Sequence, residues 1–225
     1  MTKTFTFIAI MCAFTFGALA VSAQDHNKFE FYGGYQFHNI STGLGDVNDI
    51  IGEDIFDNRI TAHGWTLAAT GNITKRIGIK FEYSSTGRQL LDENLGFDTD
   101  TKLRVNQYLG GIQIKNNDKD GPRFKPFFHA LAGIANERIR CTRNCDLEVA
   151  TPTLVGGTST STFNESNSNF AMVFGGGIDV KVSKRIDIRV IQVDYNPIFF
   201  GGIENLDLAD RTQNNFRFGF GIVIH

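Results

Sequence analysis

The sequence predicts an all-β fold, namely an eight-stranded antiparallel up-and-down transmembrane β-barrel with short turns at one rim and long loops at the other. Three observations predict it. Eight segments alternate apolar and polar side chains with the period of two that a strand requires. The connections between them alternate between short and long, and their polar faces carry charges of both signs.

The first residues are typical of a secretory signal peptide. Lys3 precedes an apolar run, which ends in the small residues Val21–Ala23. We therefore expect a signal peptide over residues 1–23 and a barrel domain over residues 24–225. The rest of the chain has no apolar stretch near the ~20 residues of a spanning helix, so an integral membrane protein of this sequence crosses with strands.

The charge balance gives no sign of a nucleic-acid partner. Loss of Lys3 with the signal peptide leaves 21 of the 22 basic residues against 24 acidic ones, a formal net charge of −3. Nucleic-acid binding calls for a basic surface. A remaining chain of about 200 residues suits one or at most two domains.

Most of the eight segments have a clear phase, with aromatic and branched residues on one face. The phase of the fourth and fifth segments stays open, because both of their faces contain apolar residues. In chain order the segments are Lys28–His38, Gly64–Thr74, Arg76–Ser84, Leu103–Lys115, Phe124–Asn136, Asn169–Val182, Arg185–Tyr195 and Asn215–His225.

The seventh segment breaks its own alternation. Ile186, Ile188 and Val190 share one face, but Val193 and Tyr195 then fall out of step. A β-bulge near Val190 and Ile191 would restore the phase and return Gln192 and Asp194 to the polar face.

Three consecutive glycines, Gly175–Gly177, raise the alternative of a phosphate-binding loop. Such a loop needs a helix directly after the glycines, so that the helix N-terminus receives the phosphate. The residues that follow instead alternate as a strand over Ile178–Val182. We therefore place the glycines inside a strand, where they permit a close backbone approach or a bend.

The connection lengths orient the barrel. Residues 74–76, 116–123 and 183–184 form short connections, whereas residues 38–63, 84–101, 137–168 and 196–214 form long ones. Short periplasmic turns and long extracellular loops are typical of outer-membrane barrels, and an even strand count places both termini on the periplasmic side.

The polar faces predict a network of charges in the barrel lumen. Two alternatives stay open: a soluble lipocalin-like barrel that points its apolar face inward around a ligand, and a β-sandwich with solvated charges. The charged residues predicted to line the lumen are Glu30, Lys80, Glu82, Asp179, Lys181, Asp187, Arg189 and Arg217.

The segments FFHALAGIA, FGGGIDVKVSKRIDIRVIQVDY and NNFRFGFGIVIH, with the signal peptide, resemble the small outer-membrane β-barrel domain family. The resemblance is to the OmpA and OmpX type of barrel and covers nearly all of the mature chain. It implies a Gram-negative cell outer membrane, contact with membrane lipids and lipopolysaccharide, assembly by the barrel-insertion machinery, and a monomer. Two features depart from the family: the last residues are Ile224 and His225 where many members end on an aromatic residue, and no peptidoglycan-binding domain follows.

An eight-stranded barrel encloses an interior that side chains fill. We therefore expect a plugged polar lumen and a non-enzymatic protein with a structural or surface-interaction role through its long loops, without a cofactor. The alternative is a narrow channel for ions or small solutes.

Three polar motifs call for other interpretations. Asn116, Asp118, Asp120 and Gly121 have calcium-loop spacing, but Phe127 stands where a bidentate Glu belongs, which favours a solvated hairpin turn. The acidic cluster in the first long loop is typical of a solvated surface, and the alternative is a cation bridge to lipopolysaccharide. We expect Cys141 and Cys145 to form a loop disulfide in an oxidising compartment. The acidic cluster comprises Asp46, Asn48, Asp49, Glu53 and Asp54.

A lipid-modifying enzyme is a further alternative. His38, Ser41, Asp46 and His63 would lie near the outer rim, where a catalytic triad could form. No nucleophile motif surrounds Ser41, and catalysis needs these side chains to converge.

Overall fold

The computed structural model describes residues 26–41, 59–91, 100–141, 163–200 and 211–225. Within these ranges the chain forms eight antiparallel strands in sequence order, closed into a barrel, as the sequence predicts. The strands are β1 (Phe29–Ser41), β2 (Arg59–Asn72), β3 (Ile77–Leu91), β4 (Asp100–Lys115), β5 (Phe124–Cys141), β6 (Phe163–Lys181), β7 (Ile186–Phe200) and β8 (Arg211–Ile224).

The first and last strands close the barrel. β1 pairs with β8 from Phe31 opposite Ile224 to Asn39 opposite Phe216. Closure gives every strand two neighbours and leaves no unpaired edge, which a lipid environment requires.

The large apolar side chains point outward. Phe31 is 53% exposed and Phe128 is 70% exposed, whereas the alternate residues Glu30 and His129 are buried inside. This orientation overturns both alternatives, the lipocalin-like barrel with its apolar face inward and the open β-sandwich. It also sets the phase of β4, where Tyr108 faces outward.

No helix among the described ranges is long and apolar enough to cross a membrane.

The bulge predicted in β7 is confirmed. The register between β6 and β7 shifts after the Ile178–Ile191 pair, because Asp179 pairs with Arg189. Opposite β8, the shift falls between Arg189 and Gln192. Gln192 and Asp194 are consequently buried in the lumen.

The two rims of the barrel differ. At the turn rim, residues 73–76, 116–123 and 182–185 connect the strands. The residues before β1 and after β8 are bonded to these connections, since Asn27 N donates to Asn117 O and His225 N donates to Arg185 O. At the loop rim the strands run further than the sequence predicts, and residues 42–58, 92–99, 142–162 and 201–210 connect them.

A partial aromatic girdle lies on the outer face of β1 to β4 and β7, toward the loop rim. It contains Tyr35, Trp65, Tyr83, Tyr108 and Tyr195. The Trp65 and Tyr83 ring centroids lie 5.1 Å apart, and those of Tyr83 and Tyr108 lie 4.8 Å apart. Aromatic side chains of this kind mark the boundary between hydrocarbon and headgroups.

The outward apolar band has the height of a bilayer core. On β8 it runs from Phe216 to Ile224, about 27 Å along a strand that rises ~3.4 Å per residue. A strand tilt of about 40° reduces this to about 21 Å, near the ~25 Å band of outer-membrane barrels.

Candidate functional site: the barrel lumen

The lumen contains a balanced set of buried charges. Among the described residues, five basic and five acidic side chains are each at most 3% exposed. Opposite charges in equal number can pair without leaving a net charge in a low-dielectric interior. The basic residues are Lys80, Lys115, Lys125, Arg189 and Arg217, and the acidic residues are Glu30, Glu82, Asp179, Asp187 and Asp194.

One group of charges is centred on Asp179, in the half of the lumen nearer the turn rim. Arg189 approaches both carboxylate oxygens, with Nε 2.8 Å from Oδ1 and Nη2 3.1 Å from Oδ2. Lys115 Nζ lies 3.1 Å from Asp179 Oδ2 and 2.6 Å from Glu30 Oε2. The Asp179 carboxylate thus receives donors from β4 and β7, and this two-point contact with a guanidinium is the strongest kind of side-chain ion pair.

Aromatic rings cover the Arg189 guanidinium. Its Cζ atom lies 4.2 Å from the centroid of the Tyr32 ring and 3.9 Å from that of Phe127. Cation–π contact of this kind strengthens when water is excluded. Arg189 is therefore held by rings as well as by the carboxylate, which fixes its position across the lumen.

A second group is centred on Asp194, further toward the loop rim. His129 Nε2 lies 2.9 Å from Asp194 Oδ1, and Arg217 Nη2 lies 2.7 Å from Asp194 Oδ2. The same Nη2 atom lies 2.7 Å from Glu82 Oε1. Arg217 on β8 therefore joins carboxylates of β3 and β7 across the barrel.

Lys80 fixes the tautomer of His129. Lys80 Nζ lies 2.8 Å from Glu82 Oε2 and 3.0 Å from His129 Nδ1. An ammonium group only donates hydrogen bonds, so Nδ1 accepts and Nε2 carries the proton donated to Asp194. His129 is consequently a neutral connector between two charged groups.

Gln192 links the two groups. Its Oε1 accepts from Arg189 Nη1 at 2.8 Å, and its Nε2 donates to Asp194 Oδ2 at 2.7 Å. Gln192 reaches the lumen only because of the β7 bulge. The bulge therefore makes one continuous network out of two.

The turn rim has an ion pair of its own. Lys125 Nζ lies 2.9 Å from Asp187 Oδ2, and His225 Nε2 lies 2.8 Å from the same oxygen. The C-terminal side chain thus packs into the base of the lumen.

Two clusters of buried apolar residues lie in the lumen on β1, β2 and β4 to β7. Leu109 of the first cluster pairs directly with Glu82, so this cluster begins at the level of the charges, and both clusters extend toward the loop rim. We call the buried charges the ionic layer and these two clusters the apolar layer. The apolar layer consists of Leu109, Leu131, Ala135, Ala171, Val173 and Ile198 in one cluster and Ile40, Ala62 and Val105 in the other.

Seven of the eight lumen charges predicted from the sequence lie together in these groups, and Lys181 does not. Lys181 lies at the turn rim, where its Nζ donates to Lys119 O at 2.5 Å. The prediction omitted Lys115, Lys125 and His129, whereas the predicted bulge already placed Asp194 on the polar face. Continuing the alternation of Gln107 and Gln113 along β4 would have found Lys115.

The two histidines considered for a catalytic triad do not lie together. His38 points into the lumen, where its Nδ1 lies 3.3 Å from Thr86 Oγ1. His63 points outward, and its Nδ1 lies 2.7 Å from the Tyr35 hydroxyl. Since Phe37 pairs with His63 and His38 pairs with Ala62, the two histidines lie on opposite faces of the barrel wall.

The motif with calcium-loop spacing is the turn between β4 and β5. Asn116 Oδ1 accepts from Asp118 N at 3.1 Å, and Asp118 Oδ1 accepts from Asp120 N at 3.4 Å. Side chains bonded to their own backbone in this way are typical of a hairpin turn. No cluster of metal-ligating side chains occurs in the described ranges.

Several predicted features lie outside the described residues. They are the signal peptide over residues 1–23, the acidic cluster of Asp46, Asn48, Asp49, Glu53 and Asp54, and Cys145. Cys141 ends β5, but its side chain is also outside the description.

A closed antiparallel barrel with an apolar outer band, an aromatic girdle and a charged interior is the architecture of an integral outer-membrane protein. Comparison with protein families agrees. The chain belongs to the outer membrane protein beta-barrel domain family, whose model matches residues 9–223. The protein is therefore a bacterial outer-membrane barrel. No curated protein sequence matches the chain.

Solved structures with similar folds share little sequence with the chain. Neisserial surface protein A is 11% identical with a TM-score of 0.50, over 89% of this chain and 99% of that one. Ail of Yersinia pestis is 12% identical with a TM-score of 0.47, over 87% and 97%. OprG from Pseudomonas aeruginosa is 12% identical with a TM-score of 0.43, over 90% and 98%.

Proposed function

We propose that the protein is a non-enzymatic outer-membrane barrel with a plugged lumen, and that it serves envelope structure or surface interaction through its long loops. The observation that carries this proposal is the pairing of the ten buried charges that the described residues place inside the barrel. An eight-stranded barrel is narrow enough for side chains to fill. The inward side chains of the ionic layer and of the apolar layer support a lumen closed to solutes.

The ionic layer acts as a brace between strands. Arg217 connects β8 to β3 and β7, and Lys115 connects β4 to β1 and β6. The contacts from β8 to β3, from β4 to β1 and from β4 to β6 join strands that are not neighbours in the wall. They stabilise the cross-section of the barrel. In general, loops vary more in conformation and sequence, and they make the surface contacts.

Export and membrane insertion bring the barrel to its lipid environment. The signal peptide over residues 1–23 directs export, and the insertion machinery places the chain as a monomer among outer-membrane lipids and lipopolysaccharide. No nucleic acid or cofactor takes part. The hydrogen bonds of His38 to Thr86 and of His63 to Tyr35 support a non-enzymatic role, because a triad histidine is bonded to a serine and to an acid.

The channel alternative is tested by single-channel recording of the purified protein in a planar bilayer. We expect no unitary conductance, since the guanidinium of Arg189 contacts the rings of Tyr32 and Phe127 inside the lumen. A stable conductance whose ion selectivity changes in Lys80→Gln would contradict the plug and establish the channel. Lys184→Gln, at the exposed turn between β6 and β7, is the matched control for loss of one positive charge.

A further inference from the structure

Two turns of the turn rim share one short sequence. Residues 73–77 read ITKRI and residues 182–186 read VSKRI, so each turn has a lysine followed by an arginine. All four basic side chains are exposed. We call Lys75–Arg76 and Lys184–Arg185 the two dibasic turns.

The dibasic turns also share one backbone conformation. Ile73 N and Thr74 N both donate to Ile77 O, at 2.9 and 3.1 Å, and the equivalent bonds of the second turn are 3.1 and 3.0 Å long. The hydroxyl oxygens of Thr74 and Ser183 each accept from the backbone N–H of the arginine two residues on, at 3.2 Å. Such local bonds are typical of turns with these residues. Each turn therefore presents its Lys–Arg pair in the same way.

Each dibasic turn lies at the edge of the outward apolar band. Ile73 and Ile77 flank the first pair, Val182 and Ile186 flank the second, and all four are exposed on the outer face. Lysine and arginine beside apolar surface bury their stems along it and keep their charged ends in the polar layer. Since each turn has only four residues, its charges lie at headgroup level and do not reach deeper into the periplasm.

The dibasic turns lie on opposite sides of the barrel. They follow β2 and β6, which are four strands apart in a closed order of eight. A membrane leaflet surrounds the whole wall and meets both turns at once. The arrangement therefore fits a lipid surface.

The two turns differ in their counter-charges. Lys75 Nζ lies 4.0 Å from Asp118 Oδ2 in the β4–β5 turn. No acidic side chain in the described part of the chain forms an ion pair with Lys184 or Arg185. Arg123 adds a further positive charge nearby, since its carbonyl oxygen accepts a hydrogen bond from the end of β6 at 2.8 Å. The second turn therefore has positive charge available for an anionic partner.

We propose that the β6–β7 turn binds an anionic phospholipid of the inner leaflet, with Lys184 and Arg185 against its phosphate group. Ammonium and guanidinium groups both donate charge-assisted hydrogen bonds to phosphate oxygens. The acyl chains of the lipid lie against Val182 and Ile186. This inference rests on the proposed function, in which the short turns of the barrel face the periplasm.

The test is lipid retention, measured by native mass spectrometry on the full-length barrel in phosphatidylcholine nanodiscs with increasing phosphatidylglycerol of the same acyl chains. We expect wild type to prefer phosphatidylglycerol. Lys184→Gln/Arg185→Gln should lower the affinity for it by about 30-fold, because two charges near an anionic surface are lost. Lys184→Arg/Arg185→Lys, which keeps both charges, should bind as wild type does.

The β2–β3 turn supplies the matched control. Lys75→Gln/Arg76→Gln makes the same change in the same motif, but Lys75 already has a counter-charge. We expect this variant to lower the affinity for phosphatidylglycerol by only about 5-fold, the effect of one available charge. Equal losses from the two turns would show a general effect of net charge and overturn the site at the β6–β7 turn.

Other outcomes would also overturn the proposal. They are equal retention of both lipids by wild type, and wild-type affinity in Lys184→Gln/Arg185→Gln. Displacement of the bound lipid by glycerol phosphate in solution would assign the turn to a soluble phosphate compound. Binding to isolated cell-wall polymer that requires Lys184 and Arg185, without a preference between the lipids, would place the partner in the periplasm.

Barrel integrity is measured separately on the same preparations. Each variant is run on a detergent gel with and without boiling, which reports closure of the barrel independently of lipid. A Lys184→Gln/Arg185→Gln variant that keeps its heat-dependent shift and binds phosphatidylglycerol as wild type does refutes the lipid site alone. Absence of the shift in wild type refutes the proposed barrel function instead.

Discussion

Arg189 and Asp179 are direct cross-strand partners at the position where the register between β6 and β7 shifts. Their side chains are joined at two points, 2.8 Å and 3.1 Å. The bulge thus turns the neighbouring Gln192 inward while this pair anchors the strands on either side. The β7 bulge and the Arg189–Asp179 ion pair therefore lie at the same point between β6 and β7.

The first prediction concerns Arg189. Arg189→Ala leaves Asp179 buried with only Lys115 beside it, and removing one member of a buried ion pair costs about 3 to 5 kcal/mol. We expect the free energy of unfolding to fall by about this amount, measured by urea titration of protein refolded into lipid vesicles. Lys184→Ala, at an exposed turn, should change it by less than about 0.5 kcal/mol. Equal stability of the two variants argues against the network.

The second prediction concerns the ion pair at the turn rim. Lys125→Met and Asp187→Asn should each destabilise the barrel, because each leaves a buried partner without its counter-charge. The double variant should lose less than the two single losses combined, with a coupling energy of about 1 to 3 kcal/mol. A coupling of zero in this double-mutant cycle would show that the two side chains act independently. The same cycle on Lys125 and the distant Glu82 should give no coupling.

The third prediction concerns the glycines of β6. A Cβ added at Gly175 would overlap Asp194 Oδ1 and Val193 O. Gly175→Ala therefore disturbs the second charge group and costs about 1 to 3 kcal/mol through overpacking. Gly33→Ala is the matched control, since its Cβ would meet only Leu67 Cδ2 at 3.6 Å on the outer face. Refolding yield, read as the fraction of heat-shifted protein on gels, should fall for Gly175→Ala and stay unchanged for Gly33→Ala.

The fourth prediction concerns closure of the barrel. Eight strands without an edge resist detergent until they are heated. The protein from the outer-membrane fraction should migrate differently on a detergent gel before and after boiling. Recovery in the soluble periplasmic fraction, with no change of mobility on boiling, is incompatible with the closed lipid-facing barrel.

The sequence predicted the architecture because alternation is clear wherever lipid faces one side and charges face the other. β8 is an example, with Phe216, Phe218 and Phe220 outward and Arg217 inward. The β7 bulge was predicted for the same reason, since an inserted residue shifts the parity of everything after it.

Alternation is lost where the lumen itself is apolar. On β5 the inward residues Phe127, Leu131 and Ala135 are as apolar as their outward neighbours, so the phase of the strand is hidden. Lys125 and His129 were missed for this reason. The pairing of particular charges also lay beyond the sequence, because it depends on which strands face each other across the lumen.

The outward orientation of the apolar face is the central claim, and Trp65 tests it most directly. Trp65 is the one tryptophan of the chain, it is 45% exposed, and it lies in the aromatic girdle. We would measure its fluorescence in vesicles with brominated acyl chains and with aqueous iodide. Strong quenching by the brominated lipid and weak quenching by iodide is the predicted result. Quenching by iodide alone would place Trp65 in water and contradict the lipid-facing barrel.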